Sequence, residues 1–588
     1  MKKTLKYILA FLIWLTLILP LIQKLTGVYP ERELSGDFIR AGKPELSLNS
    51  WYSGVYQADM NDFIDENIGL HNTLVRLNNQ LDFTLFGIVK AEGVVKGKDN
   101  YLFEYDYIRG KLGLDFTGER FIEEKLRRMK FLQEHLEEEY GTVLALVLEP
   151  SKARFFPGKL PEEHKGKPAG STNYGTYKRL AEQLGVNLLD FNEYYLEMKD
   201  TASYPLYPPY GIHWSLYGMT FCADSILRYI DDNWPHPLNG YSYDFYTSSV
   251  PERTDNDVEK ALNLLFPLPS PELAYPSYEF TDGAVEQKPN VLVVADSYYF
   301  NIFNTGIPEN IFNNQAFWYF NARVYPDYYY SPTLVEDVDL KKETEKQDFI
   351  FLMVTERFLH RFDWHFIDNL YDVYAPAFLR YPEYEYFNDV VNNDDLFKKL
   401  VARAKEGNEP LDELIWENAY FLFMEKEWAD FMMLHGLERQ VEIIRNDSTW
   451  YGHIIEKATE QDIPVTEMLR RDAEYVFRQN YPDLFRINEG IRSKRNEIFI
   501  YQETSQEWDH LMKEYYLKSY RAQEVLAQQL YFEERIGGFE EAIRNDKAWF
   551  EHVRNKAEDH GLPLDEMIKI DAEYMLEQEL DDLRNKYD

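Results

Sequence analysis

Cysteine is nearly absent: Cys222 is the only one in 588 residues. That excludes an internal disulfide framework and any zinc site needing two or more thiolates. Positive charge is scarce too. Against 101 Asp and Glu stand 63 Lys and Arg, a formal net charge of −38. So acidic a surface repels phosphate backbones and argues against any nucleic-acid partner. Long apolar runs are lacking beyond the first 30 residues. Aromatics are not lacking: 45 Tyr, 38 Phe and 11 Trp make up 16% of the chain. Tyrosine packs in cores, and its flat face with a polar tip also suits sugar rings. With 45% hydrophobic residues the chain is not wholly disordered, and its length suits about four domain-sized units.

The single long apolar run lies at the N-terminus. Met1-Lys2-Lys3 and Lys6 precede an uncharged stretch from Tyr7 to Ile22, and Lys24 follows it. The stretch is slightly short of the roughly 20 residues a bilayer needs unless Leu25 to Val28 join it, with Lys24 snorkelling. No small-residue cleavage site follows, so residues 1–29 are expected to be a membrane anchor, with a cleaved signal as the alternative. Positive charge on the N-terminal flank predicts that the bulk of the chain is periplasmic or otherwise extracytoplasmic.

Past residue 60 the pattern alternates. Apolar spacing predicts helices over 60–87, 118–140 and 215–230. Short runs at 142–148, 186–191, 290–295 and 348–354 are apolar on both faces, as strands of a covered parallel sheet are. Residues 94–103 read as strand, turn at Gly97 to Asn100, strand. Eight prolines between Pro235 and Pro289 read as an irregular excursion. The expected fold is therefore α/β, a three-layer α/β/α arrangement, over 30–388. Residues 389–588 lose their strands and repeat. Positions 444–475 align without gaps on 543–574 with 15 of 32 identical, which is too many for chance and predicts paired helical hairpins. Pro464 and Pro563 should open each second helix. The Trp, Ala, Met and Tyr positions should form the seams, leaving His453 and His552 on the surface. A weaker copy lies at 392–421. An outer face left free by such hairpins suits partner docking.

The strongest chemical constellation is Val291-Leu292-Val293-Val294-Ala295-Asp296-Ser297. A buried strand ends in Asp-Ser, which presents a hydroxyl at the rim of the sheet, where turn amides can receive an oxyanion. By itself an Asp-Ser here is as ordinary as a helix N-cap. The second element is His213 in Gly211-Ile212-His213-Trp214-Ser215, a base of suitable pKa for a serine nucleophile.

Together these blocks resemble the SGNH-hydrolase-like proteins of the alginate O-acetyltransferase type, grouped with the DHHW proteins. The likeness runs from about Met60 to Arg380. It includes Asn67-Ile68-Gly69-Leu70, the 95–103 hairpin, His213-Trp214-Ser215 with Tyr217-Gly218, Ala295-Asp296-Ser297-Tyr298, and Thr355-Glu356-Arg357. The resemblance implies an α/β/α domain whose serine is acetylated and whose histidine is its base, here Ser297 and His213. It often carries Asp two residues before that His, where this chain has Gly211. Either a carboxylate elsewhere serves, or the site is a dyad, or its activity is weakened. Asp296 completes the catalytic candidates, although beside the serine it is better placed to hold the turn than to reach His213. Trp214, Tyr298, Tyr299, Glu356 and Arg357 are the substrate-binding candidates around the rim. The resemblance further implies a polysaccharide acceptor, a membrane-bound acetyl-donating acyltransferase as partner, and no metal or organic cofactor. The expected function is envelope O-acetyl transfer onto an exported polysaccharide. A carbohydrate O-acetylesterase and a non-catalytic polysaccharide-binding scaffold are the alternatives.

Overall fold

The computed structural model describes residues 2–587 except 37–39, 167, 169, 282–284, 286, 329–330, 376–381, 420–421, 423–436, 462, 481–531 and 533–534. Arg380, the end of the 392–421 copy and part of the proline-rich stretch therefore lie outside the described residues. The chain opens with helix α1 (Lys2–Thr26). Its uncharged run, at 1.5 Å per residue, is about 24 Å long against a hydrocarbon core of about 30 Å. Among the described residues no helix is long and apolar enough to cross a membrane, so the spanning anchor expected at 1–29 is not supported. Helix α2 (His71–Leu81) follows. Strands β1 (Val94–Lys96) and β2 (Leu102–Glu104) then pair antiparallel around the expected turn.

All four apolar runs are strands of one sheet: β3 (Val143–Glu149), β4 (Leu188–Asp190), β7 (Val291–Ala295) and β11 (Phe349–Thr355). Between β4 and β7 lie β5 (Tyr241–Ser248) and β6 (Leu273–Phe280), a separate antiparallel ribbon. The proline-rich stretch is thus not irregular throughout. Its prolines leave this ribbon intact because Pro276 opposes Phe245 in a two-stranded pair with a solvated edge. After β7 come β8 (Ala316–Tyr319), β9 (Arg323–Tyr328) and β10 (Ser331–Leu334). The sheet order is β10-β9-β8-β7-β11-β3-β4. The five strands from β8 to β4 run parallel, and β9 and β10 add an antiparallel edge.

Alternation along these strands feeds two cores. Leu144, Leu146, Leu148, Leu292, Val294, Ile350, Leu352 and Val354 point to one face. Helices α3 (Glu119–Tyr140) and α4 (Asn173–Leu184) cover it. Residues 384–419 of the C-terminal helices pack into the same core. Ala145, Val147, Val291, Val293, Phe349, Phe351 and Met353 point the other way, onto α5 (Leu216–Asn233) and α6 (Tyr299–Phe303). Burying one such large side chain contributes about 1.5–3 kcal/mol, so doubly covered strands anchor the fold. The three-layer α/β/α architecture is the expected one.

The repeats are helical hairpins: α7 (Ser448–Glu460) with α8 (Val465–Asn480), and α9 (Lys547–His560) with α10 (Leu564–Tyr587). Asp447 and Asp546 cap the first helices, each accepting two backbone amides. Trp450, Ala458, Met468 and Ala473 form one seam, and Trp549, Ala557, Met567 and Ala572 the other. Tyr475 and Tyr574 are exposed, against expectation, since each lies two positions past its seam alanine and faces outward.

Candidate active site

Three strand ends build the floor of the site. Ala295 closes β7, and Asp296, buried, turns the chain towards α6. Asp296 Oδ1 accepts the Tyr298 amide at 2.9 Å, and Oδ2 accepts the Thr355 amide at 3.0 Å and its hydroxyl at 2.6 Å. The serine turn is thereby tied to the end of β11. Glu149 ends β3 in register with Thr355. Burial, then the charge of Asp296, holds its carboxyl well above the ordinary range. With Asp296 so engaged, it is not the partner of His213, which corrects its candidacy as an orienting acid. The Tyr298 amide is committed to Asp296 and is removed from the amides expected to receive an oxyanion.

Ser297 and His213, 84 positions apart, meet: Ser297 Oγ lies 3.0 Å from His213 Nε2. On the far side of the ring, His213 Nδ1 is 2.7 Å from Asp257 Oδ2. A carboxylate only accepts, so Nδ1–H donates to Asp257, and Nε2 is left to accept from the serine hydroxyl. Asp257 is itself fixed, its Oδ1 accepting the amides of Ile212 at 2.9 Å and Val258 at 2.7 Å. The acid stands 44 residues beyond the histidine, in the middle of the proline-rich stretch, where the segment between β5 and β6 opens a short helix (Asp257–Ala261). Gly211 explains the exchange. A Cβ there would lie 2.6 Å from the Thr254 carbonyl oxygen and 2.9 Å from the Asp255 carbonyl. The loop that brings Asp257 fills the room an aspartate at 211 would need. Asp257 was missed in the sequence because nothing local marks one carboxylate among 101. The one available signal was the glycine two residues before His213.

The histidine loop is pinned from several sides. The Tyr298 hydroxyl donates to the Ile212 carbonyl at 2.7 Å, and Ser215 caps α5 through the Gly218 amide at 3.0 Å. Lys152, buried, donates to the carbonyls of Pro209 at 2.9 Å and Gly211 at 2.6 Å. Burial pushes the Lys152 pKa down to about 7, against the pull of Asp257 and Asp255. Its folded pKa then lies below its unfolded value of 10.5. Between the two the unfolded chain holds the extra proton, so stability should rise with pH from about 7 to 10.5. The slope is at most about 1.4 kcal/mol per pH unit. Lys152→Met should remove that rise. A urea-midpoint series across pH 6–10 checks it, and parallel wild-type and variant curves would refute it.

The remaining rim candidates divide. Trp214 is fully buried, packed 5.3 Å from the Tyr298 ring. Tyr298 is buried beneath His213, with ring centroids 4.8 Å apart. Tyr299 is buried against Phe317. None of the three is available to a sugar: they support the site from below. Glu356 is buried in an ion pair with Arg154, so it too is structural. Arg357 pairs with Glu104 and keeps a partly exposed side chain over the Tyr107 and Phe358 rings. Of the five, it alone stays at the rim.

A hydroxyl, an imidazole and a fixed carboxylate in this order can form and break an ester at the C-terminal edge of a parallel sheet. Residues 94–290 match the family model described as ALGX, an SGNH hydrolase-like domain, acetyltransferase AlgX. No curated protein matches the chain significantly. Among solved structures, the O-acetyltransferase domain of Pseudomonas putida AlgJ is 18% identical, covering 48% of this chain and 99% of its own, with a TM-score of 0.34. Pseudomonas aeruginosa AlgX is 15% identical, covering 47% and 67%, with a TM-score of 0.31. Bacillus cereus PatB1 is 11% identical, covering 45% and 96%, with a TM-score of 0.29. Over residues 94–290, which hold His213 and Asp257 and end just before Ser297, the chain is similar to the SGNH hydrolase-like domain of the acetyltransferase AlgX.

Proposed function

We propose that this chain is a serine O-acetyltransferase of the cell envelope that passes an acetyl group through Ser297 onto a hydroxyl of an exported polysaccharide. The observation that carries the reading is the unbroken relay Ser297 Oγ–His213–Asp257, at 3.0 and 2.7 Å. In the first half-reaction Ser297 Oγ attacks the acetyl carbonyl of the donor while His213 Nε2 takes the hydroxyl proton. The imidazolium so formed is stabilised by Asp257 at Nδ1 and returns its proton to the leaving group. In the second half-reaction a sugar hydroxyl loses its proton to the same Nε2 and attacks the acetyl-serine, and Ser297 is regenerated. The donor is taken to be a membrane-bound acyltransferase that supplies acetyl groups outside the cytoplasm, with the helical hairpins as a surface for docking partners. Arg357 and Glu104 at the rim are the side chains best placed to meet the acceptor.

The test is an intact-mass experiment with an activated acetyl ester. One acetyl group should appear transiently and map to the peptide containing Ser297. An adduct elsewhere, or none above background hydrolysis, refutes the reading. Adding oligosaccharide then separates transfer from hydrolysis: a transferase delivers label to sugar, an esterase only to water.

A further inference from the structure

Helix α2 is docked inside out. At 100° per residue, Asn72, Arg76 and Asn79 share one face and Leu74, Leu77 and Leu81 the opposite one. The polar face is the buried one: Asn72 and Arg76 are 1% and 5% exposed. Arg76 donates to the Glu33 carbonyl at 2.7 Å and the Leu264 carbonyl at 3.3 Å. Asn79 donates to the Leu262 carbonyl at 3.0 Å, and Asn72 to the Arg32 carbonyl at 3.2 Å. The leucines face outward, 45%, 41% and 47% exposed. Their stripe continues past the helix through Leu85 and Phe86, both more than half exposed. A helix free to choose buries its leucines. Here the buried face is fixed by hydrogen bonds to carbonyls of two separate segments, and a continuous apolar stripe is left for something else to cover.

The surroundings say what covers it. The start of α2 sits on the end of α1: the Leu70 amide donates to Gln23 Oε1 at 3.2 Å. Gly69 lies so close to the Pro20 carbonyl that a Cβ there would be 1.9 Å from its oxygen. The stripe therefore begins about one helical turn from α1, the helix that carries the exposed Leu21, Ile22 and Leu25 and the uncharged run between Lys6 and Lys24. Asp82, the acid nearest the stripe's end, is held by Lys90 at 2.7 Å. The only basic side chains in α1 are Lys2, Lys3, Lys6 and Lys24, at the two ends of its uncharged run, so along the stripe itself apolar burial is the driving term.

We propose that Leu74, Leu77, Leu81, Leu85 and Phe86 seat in the acyl-chain boundary of a lipid leaflet. They form, with α1, one interfacial surface that holds the chain against the membrane without spanning it. Lipid is the occupant because α2 starts against α1, whose run from Tyr7 to Ile22 carries no charge. The proposal does not depend on the chemistry of Ser297.

The test uses the full chain on phosphatidylcholine vesicles. Cys222 is buried, so a single introduced cysteine takes a spin label selectively. Leu77→Cys probes the stripe, and Asp62→Cys, exposed on a separate helix (Val55–Asn67) just before α2, is the control. On vesicles the label at 77 should collide several-fold more with oxygen than with an aqueous nickel complex, and the label at 62 should show the reverse. Leu77→Ser/Leu81→Ser should lower vesicle binding at least ten-fold relative to Asp62→Ser. Equal accessibility at 77 and 62 overturns the proposal. So does a label at 77 shielded from both reagents, the mark of a protein occupant. Shielding in detergent before vesicles are added, with a doubled mass by sedimentation, assigns the stripe to a second copy and overturns it equally.

Discussion

Asp257→Asn should lower acetyl transfer by about 10³–10⁴-fold, the loss seen when the acid of a serine–histidine relay becomes an amide. Asparagine nearly matches aspartate in shape, and the amides of Ile212 and Val258 would still find an oxygen acceptor where they now find Asp257 Oδ1. The side chain's amide nitrogen would then face His213 Nδ1 and donate to it. The ring proton would move to Nε2 and point at Ser297 Oγ, so the imidazole could no longer take the hydroxyl proton. Geometry survives and the base is lost. Placing an aspartate two residues before His213 should not rescue the variant. In Asp257→Asn/Gly211→Asp the new Cβ would press on the Thr254 carbonyl oxygen, 2.6 Å away. The added side chain would instead displace the loop. Burst kinetics with an activated acetyl ester measure both variants. A fall of less than ten-fold in Asp257→Asn, or recovery in the double variant, would mean that Asp257 is not the orienting acid.

What could be read from the sequence follows from how each feature is encoded. Strands β3, β7 and β11 are covered on both faces, so every position before the C-terminal ends at Glu149 and Thr355 is apolar and the run announces itself. Strands β9 and β10 form a half-covered edge with Arg323, Tyr325 and Asp327, and no such run marks them. Ser297 and His213 were found through short motifs, because each sits where a strand or loop meets a helix and must have a particular residue type. Asp257 is different in kind. It reaches the site by the path of a loop, and loop paths leave no period in the sequence. The aromatic neighbours were misplaced for a related reason. Trp214, Tyr298 and Tyr299 adjoin catalytic candidates in sequence, but the direction of each side chain depends on backbone turns. The turn at Asp296 sends Tyr298 under the histidine, where its hydroxyl meets the Ile212 carbonyl. An aromatic next to a nucleophile is as easily its floor as its wall.

Ser297→Ala should abolish acyl-enzyme formation, with a fall in turnover of up to about 10⁶-fold, the scale at which removing a nucleophilic serine leaves only the background of a binding site. The variant is also a clean one. The turn at 296–298 is held by Asp296 and Thr355 through bonds to backbone and hydroxyl groups, not by the serine side chain. Ser297 Oγ is half-buried beside His213 rather than sealed in the core, so its loss should shift the unfolding free energy by less than about 1 kcal/mol. A stable protein that no longer carries acetyl then separates two roles that the fold alone joins. In cells, a polysaccharide that loses its acetyl esters while the variant persists at normal level shows that the serine does chemistry. Unchanged acetylation, with the variant equally abundant, would leave the chain as a support protein. The relay of Ser297, His213 and Asp257 would then be one in which hydrogen bonding, not ester chemistry, is the reason for its order.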